Sequence, residues 1–394
     1  MSQKDVVIAS AVRTPIGSFQ GALASLSATD LGAVAVREAV KRAGAQPEQI
    51  ERVLMGNVLS AGMGQAPARQ VVIKAGLPDT TGAITVNKVC GSGLQAVMFA
   101  RREILVGDAE VLVAGGMESM TNAPYVLPKA RAGYRMGNGE IVDTMIYDGL
   151  WDPYDDMHMG NCGDLVAEKY GFSRQDQDEF ATTSYRRALA AQKEGRFKAE
   201  IVPAEVPQRR GEPLLVDEDE EPKRGNIEKM AKLRPAFSKQ GTVTAANASS
   251  INDGAAALVV SSAEAAQRNG YQVLARIVGD STVAVEPKWF TIAPIQALAK
   301  LYEKTGRKAG DWDFYEINEA FSGVTMAAVK EHGLDPDTVN VNGGAAALGH
   351  PIGCSGARVL VTLIHALRDR GKKTGVATLC IGGGEAVALG VELV

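Results

Sequence analysis

Thr85–Leu105, TVNKVCGSGLQAVMFARREIL, changes character at Cys90. Upstream lies a short β-branched run; downstream Leu94, Val97, Met98 and Ile104 recur at helical spacing along one face. The stretch therefore predicts strand, tight turn and helix, with VLVAGGME (Val111–Glu118) as the next strand. Near the other end of the chain Cys354-Ser355-Gly356 opens a second apolar helix, and VATLCIGGGE (Val376–Glu385) follows as its strand. Two similar strand-helix-strand units half a chain apart point to an internally duplicated α/β architecture.

Working outward, the spacing predicts strands at Val6–Ala9, Arg52–Val58, Ala83–Asn87 and Val111–Ala114, with helices near Ala28–Ala43, Ala66–Ala75 and Ser92–Leu105. The region from Thr121 to about Thr242 is rich in Gly, Pro, Tyr and charge and reads as an insertion; its run DEDEEPKRGNIEK (Asp217–Lys229) is a solvated face on its own terms. Ser173, with Asp176 three residues on, marks a capped helix there that continues to about Lys193. The α/β pattern resumes at VTAANASSINDGAAALVV (Val243–Val260). It continues as a helix near Pro294–Lys304, a strand at Phe314–Ile317 and a helix from Ala320.

The bulk properties narrow the function. The 394 residues exceed one ordinary core, and 45% apolar with 22% charged residues describes a folded globular chain. A net charge of −4 offers no general attraction to nucleic acid or to an acidic membrane. The opening MSQKDVVIASAVRTP has no signal-peptide pattern, and the four cysteines lack disulfide or metal spacing, so a reduced, cytoplasmic protein is expected. No C-x-x-C or H-x-x-x-H pair occurs, and no metal or resident cofactor is expected.

The chemistry concentrates at four segments. Cys90 stands at a helix start, where N–H groups and the positive dipole end favour a thiolate and could hold an oxyanion. NEAFSG (Asn318–Gly323) places an amide and a carboxylate at the opening of a helix. NGGAAALGHPIGCSGAR (Asn342–Arg358) carries His350 in a glycine-rich loop, and LCIGGGEAVAL (Leu379–Leu389) puts Cys380 at a strand end. Each has an ordinary structural reading, as cap, loop histidine or core thiol. Together they supply two thiols and a base at strand ends. GSGLQA also fits a dinucleotide fingerprint, with Asp108 as the ribose acid, but that fingerprint normally follows the first strand of its unit and several strands precede this one.

At NKVCGSGLQA, NEAF, GGAAALGHPIGCSGAR and LCIGGG the chain closely resembles the thiolases, and the likeness runs from Val6 to Val394. The resemblance implies a duplicated thiolase fold, two mixed β-sheets sandwiching helices, with an inserted loop domain. Residues 1–120 plus about 243–272 would form one half, 121–242 the loop domain and 273–394 the other half. It implies Cys90 as the nucleophile, His350 as its base, Cys380 as the acid/base at the substrate α-carbon, and Asn318 as the holder of an oxyanion-hole water. Gly382 would donate its N–H to a second oxyanion hole, together with that of Cys90. MTNAPYVLPKARAGYRMGNGEIVDTMIYDG (Met120–Gly149) and His158-Met159-Gly160 resemble the short-chain acetoacetyl-CoA type, with a longer-chain degradative thiolase as the alternative. By the same likeness Ser249 contacts pantetheine, Lys223, Arg224 and Leu233 lie at the nucleotide end of coenzyme A, and Met159, Phe290 and Phe321 border the acyl group. Two departures stand out. Ser250 replaces a common glycine, and Trp289–Ala293 replaces a glycine-containing stretch, which could alter chain-length preference or weaken coenzyme A binding. Acyl-CoA thioesters and free coenzyme A are the expected ligands, and a homotetramer, or sometimes a dimer, is the implied assembly.

Overall fold

The computed structural model describes residues 5–394, so the first four residues of the expected leaderless N-terminus lie outside the described part. Strand β1 (Val6–Arg13) is followed by α1 (Ala28–Ala43), β2 (Arg52–Gly56), α2 (Pro67–Ala75), β3 (Gly82–Val86), α3 (Ser92–Val106) and β4 (Val111–Ser119). Helices α4 (Met159–Tyr170) and α5 (Arg174–Lys193) lie in the insertion, and β5 (Asn252–Ser262) follows it. Then come β6 (Ala275–Ala284), α6 (Ala293–Thr305), β7 (Phe314–Ile317), α7 (Ser322–His332), α8 (Ile352–Asp369), β8 (Thr374–Ile381) and β9 (Glu385–Leu393).

Local chemistry explains the helix ends. Ser27 and Asp30 form a capping box on α1, and Ser173 and Asp176 form another on α5. Gly44, Gly107 and Gly306 close α1, α3 and α6 in the left-handed conformation, which costs glycine little.

The sheet order is β7-β8-β9-β6-β1-β5-β4-β2-β3, with the two-residue strand Gly17–Ser18 paired to β5 off this path. Apart from the additional edge strand β3, the order is symmetric about the β6–β1 junction. Outward from it, β1, β5, β4 and β2 pair antiparallel, antiparallel, parallel, and β6, β9, β8 and β7 repeat that sequence of pairings. The two expected sheets are thus joined at their edges, through the register pairs Val7↔Arg276 and Ile8↔Ala275. Duplication is written in the hydrogen bonding.

Strand alternation then builds the layers. Ile8, Leu112, Leu258, Leu379 and Leu389 face a central layer formed by α3 and α8, which pack on each other and on strands of both halves. Their neighbours Val7, Val113 and Val259 face α1 and α2, and Val376 and Ala388 face α6. Because both faces are covered, β1, β4 and β5 are buried along their whole length, which is why they read as continuous apolar runs. No helix among the described residues is long and apolar enough to cross a membrane.

Candidate active site

Cys90 occupies the turn between β3 and α3, with Gly91 as the helix N-cap. The turn is strained: Val89, a β-branched residue, sits at φ 43°. It is pinned by Ser92, whose hydroxyl donates to the Val89 carbonyl (2.6 Å) and accepts from the Lys88 N–H (2.8 Å). Gly91 packs closely on Ile381: a Cβ there would lie 2.3 Å from its Cδ1 and would displace that side chain. That contact brings the end of β8, and with it Cys380, against the Cys90 turn.

His350 is delivered from the opposite half, in the loop entering α8. Its N–H donates to Oδ1 of Asn252 (2.9 Å), and Gly349 reaches this position at φ 100°, with no room for a side chain against the same Asn252. Ser250, the departure from glycine, donates to that same Oδ1 (2.8 Å), so its bulk is part of the loop's support. Asn318 leaves the end of β7, and its Nδ2 lies 3.5 Å from Nε2 of His350. Behind α8, the buried Glu118 carboxylate accepts from the N–H groups of Val58 (3.1 Å), Leu59 (3.2 Å) and Gly353 (2.9 Å). It fastens the His350 loop to the N-terminal half.

Cys90 and His350 both line a cavity of about 470 Å³, a size suited to a small-molecule ligand. His158, Met159, Phe290 and Phe321 form its apolar wall, and Arg224 and Ser249 also border it. Cys380 is fully buried behind this wall, packed in one cluster with Met159, Phe290 and Phe321. Nδ1 of His158 accepts from the Gly160 N–H (3.0 Å), so its proton is on Nε2. Its ring stacks on Phe237 at 4.6 Å between centroids, and Phe237 meets Phe321 edge to face.

Burial governs the electrostatics. It pushes the Cys90 thiol up to about 11, and the N–H groups of Gly382 and of Cys90 itself recover only part of that. Cys90 therefore rests as a thiol, although its place at a helix start favours a thiolate: desolvation outweighs the dipole. Burial first, and the Arg358 charge second, lower His350 to about 3, leaving it a neutral base. Cys380 is raised well above an ordinary thiol by burial and by its proximity to Cys90.

Two expected residues fall elsewhere. Lys223 is exposed and paired with Glu218, and Leu233 is exposed; neither borders the cavity, whereas the adjacent Arg224 does. Their stretch is solvated and carries no periodicity to fix which basic residue turns inward. Asn318 and Gly382 are not on the cavity wall but act on the two residues that are. Phe237, Asn252, Glu118 and Val89 were not legible as site residues, because nothing in their local sequence separates them from core or loop positions. The dinucleotide reading fails sterically and electrostatically. Gly93 abuts the backbone of Ala357, and Asp108 is bound to Arg52. Among the described residues no group of three or more His, Cys, Asp or Glu side chains could hold a metal ion.

Residues 6–264 match the family model for the thiolase N-terminal domain, and residues 271–393 match that for the thiolase C-terminal domain. The chain is 53% identical over 389 residues to an acetyl-CoA acetyltransferase of Cupriavidus necator, covering 98% of this chain and 99% of that protein. It is also 53% identical over 387 residues to an acetyl-CoA acetyltransferase of Pseudomonas aeruginosa, covering 98% of each. Among solved structures it superposes on the Acat5 thiolase from Ascaris suum in complex with coenzyme A, with TM-score 0.95 and 45% identity over 99% of this chain and 100% of that one. It superposes likewise on the Bacillus anthracis acetyl-CoA acetyltransferase, with TM-score 0.97 and 44% identity over 100% of this chain and 99% of that one. Two half-sheets with the same sequence of pairings, a thiol and a histidine contributed from opposite halves, and family matches spanning nearly every residue lead to one assignment: the chain belongs to the thiolase family.

Proposed function

We propose that this chain is an acetyl-CoA acetyltransferase, which condenses two acetyl-CoA into acetoacetyl-CoA and free coenzyme A and runs the reverse thiolysis. The observation that carries this reading is the placing of Cys90 and His350 on the wall of one apolar cavity, with Cys380 packed directly behind it. The acetyl-CoA acetyltransferases among its relatives, similar over nearly the whole chain, support the same activity and do not favour a longer-chain degradative enzyme.

In the first half-reaction the neutral His350 takes and keeps the Cys90 proton as sulfur attacks the thioester carbonyl; coenzyme A leaves as a thiol with the proton of Cys380, so an acetyl group stays on Cys90 and Cys380 becomes a thiolate. In the second, Cys380 takes an α-proton from another acetyl-CoA. The carbanion, delocalised as an enolate, attacks the acetyl carbonyl, the C–C bond forms, and the Cys90–acyl bond breaks. The Cys90 sulfur leaves with the proton held by His350 and Cys380 keeps the α-proton, so both thiols and the neutral histidine are restored. We assign Gly382 and Cys90 N–H groups to the acetyl oxyanion. We assign the enolate oxyanion to His350 with a water held by Asn318, whose buried Oδ1 has no partner among the described residues.

His158, Met159, Phe290 and Phe321 are read as the acyl and pantetheine wall, Ser249 as a pantetheine contact and Arg224 as the phosphate contact; Lys223 and Leu233 would lie at the periphery. We further read residues 121–242 as a loop domain inserted within the N-terminal thiolase half (1–120 plus about 243–272), with 273–394 as the other half, and the assembly as a homotetramer in the cytoplasm. The test is coenzyme A-dependent cleavage of acetoacetyl-CoA against a medium-chain 3-oxoacyl-CoA, with Cys90→Ala as the blank. Fast Cys90-dependent cleavage of the short substrate is expected. Preference for the longer one would replace this reading with the degradative one.

A further inference from the structure

We propose that Ser355 is a positioning residue that fixes the tautomer of His350, leaving Nε2 as the proton acceptor for Cys90. Ser355 is fully buried in the first turn of α8, and its Oγ lies 2.5 Å from Nδ1 of His350. The same Oγ lies 2.9 Å from the carbonyl oxygen of Pro351, to which it can only donate. A serine hydroxyl has one proton. Given to Pro351, that proton leaves Oγ as an acceptor, so Nδ1 of His350 must carry the hydrogen between them.

The far side of the ring supports the same direction. Nε2 of His350 is 3.5 Å from Nδ2 of Asn318, which has only protons to offer. A hydrogen on Nε2 would set two donors face to face. With the hydrogen on Nδ1, every contact from Asn318 through His350 and Ser355 to Pro351 pairs a donor with an acceptor. With the Asn318 amide oriented as it is, the chain of contacts runs in this direction.

This arrangement has a catalytic consequence. In hydrolase triads a carboxylate holds the histidine tautomer and stabilises the imidazolium. Here a hydroxyl and a peptide carbonyl, both neutral, do the orienting. When Nε2 receives the Cys90 proton, Nδ1–H still donates to Ser355, and no charge elsewhere has to move. The imidazolium is held only weakly, so its proton is readily returned to the Cys90 sulfur when that sulfur leaves in the second half-reaction. The proposal rests on the acetyl-transfer reading for its kinetic part, but the tautomer can be tested without turnover.

The experiment uses the full chain with 15N-labelled histidine, assigning His350 as the resonances lost in His350→Asn. In the unsubstituted protein Nδ1 should show the shift of a protonated ring nitrogen and Nε2 that of an unprotonated one; the reverse pattern overturns the proposal. In Ser355→Ala the proton should redistribute toward Nε2, and acetylation of Cys90 by acetyl-CoA should slow by roughly 100-fold. Ser355→Thr, which keeps the hydroxyl, should restore the tautomer and most of the rate. Acetylation of Ser355→Ala at the unsubstituted rate overturns the proposal as well. If Ser355→Ala does not fold, the labelled unsubstituted protein decides alone. If that protein shows the expected tautomer yet no Cys90 acetylation, the acetyl-transfer reading fails and the positioning role stands.

Discussion

Gly93 of α3 and Gly356 of α8 bring the two central helices backbone to backbone, each packed on the residue that follows the other. A Cβ on Gly93 would lie 2.7 Å from the Ala357 nitrogen, and one on Gly356 would lie 2.4 Å from the Leu94 nitrogen. The crossing is reciprocal because the two units are copies. It also sets the separation of the Cys90 turn from the His350 loop. Gly93→Ala and Gly356→Ala should each cost about 1–3 kcal/mol of stability by overpacking, read by denaturant unfolding. They should also slow acetyl transfer, because the helices carry Cys90 and His350 at their starts.

His350 gives a pH prediction. Its folded value is lowered to about 3, below the ordinary 6.5. Above pH 6.5 it is neutral folded and unfolded and contributes no pH dependence. As pH falls from 6.5 toward 3, the unfolded chain binds a proton that the folded chain does not, so stability is lost across that window. The unsubstituted protein should lose stability more steeply there than His350→Asn, by about 1.4 kcal/mol per pH unit at most. A rate profile should show no His350 protonation step between about pH 5 and 8. A step there that disappears in His350→Asn would contradict a neutral buried base.

Val89 at φ 43° holds backbone strain beside Cys90. Val89→Gly removes the steric cost of that conformation, and its expected effect is unchanged or slightly raised thermal stability together with slower Cys90 acetylation. Lower stability with full activity would show that the valine is there for packing.

Arg224 and Lys223 should separate cleanly. Arg224 borders the cavity, and Lys223 is spent on Glu218 in solvent. Steady-state kinetics should show Arg224→Ala raising KM for coenzyme A several-fold with kcat little changed, while Lys223→Ala alters neither much. The opposite ranking would reassign the phosphate contact.

Much of the architecture was legible. The helices at Ala28–Ala43 and Ser92–Val106 and the strand at Phe314–Ile317 follow from apolar period and end signals, and the echo of Gly91–Gly93 in Cys354–Gly356 disclosed the duplication. Less legible was everything fixed by three-dimensional approach. The edge pairing of Val7 with Arg276 joins strands far apart in the chain, and no periodicity records it. Cys90, His350, Asn318 and Cys380 stood out because their motifs are unusual. Phe237 and Asn252 did not, since an aromatic in a loop and an amide at a strand start have many ordinary uses. The charge state of Cys90 was misjudged from the helix start alone, because burial is a property of the assembled layers.

The most direct measurement is intact-protein mass spectrometry after mixing with acetyl-CoA, followed by mapping of the modified residue. One acetyl group should appear on Cys90 with release of free coenzyme A; Cys90→Ala should show none, and Cys380→Ser should retain the acetyl group without forming acetoacetyl-CoA. Acetoacetyl-CoA formation by Cys90→Ala, or acetylation of the unsubstituted protein at Cys380 in place of Cys90, would contradict the account.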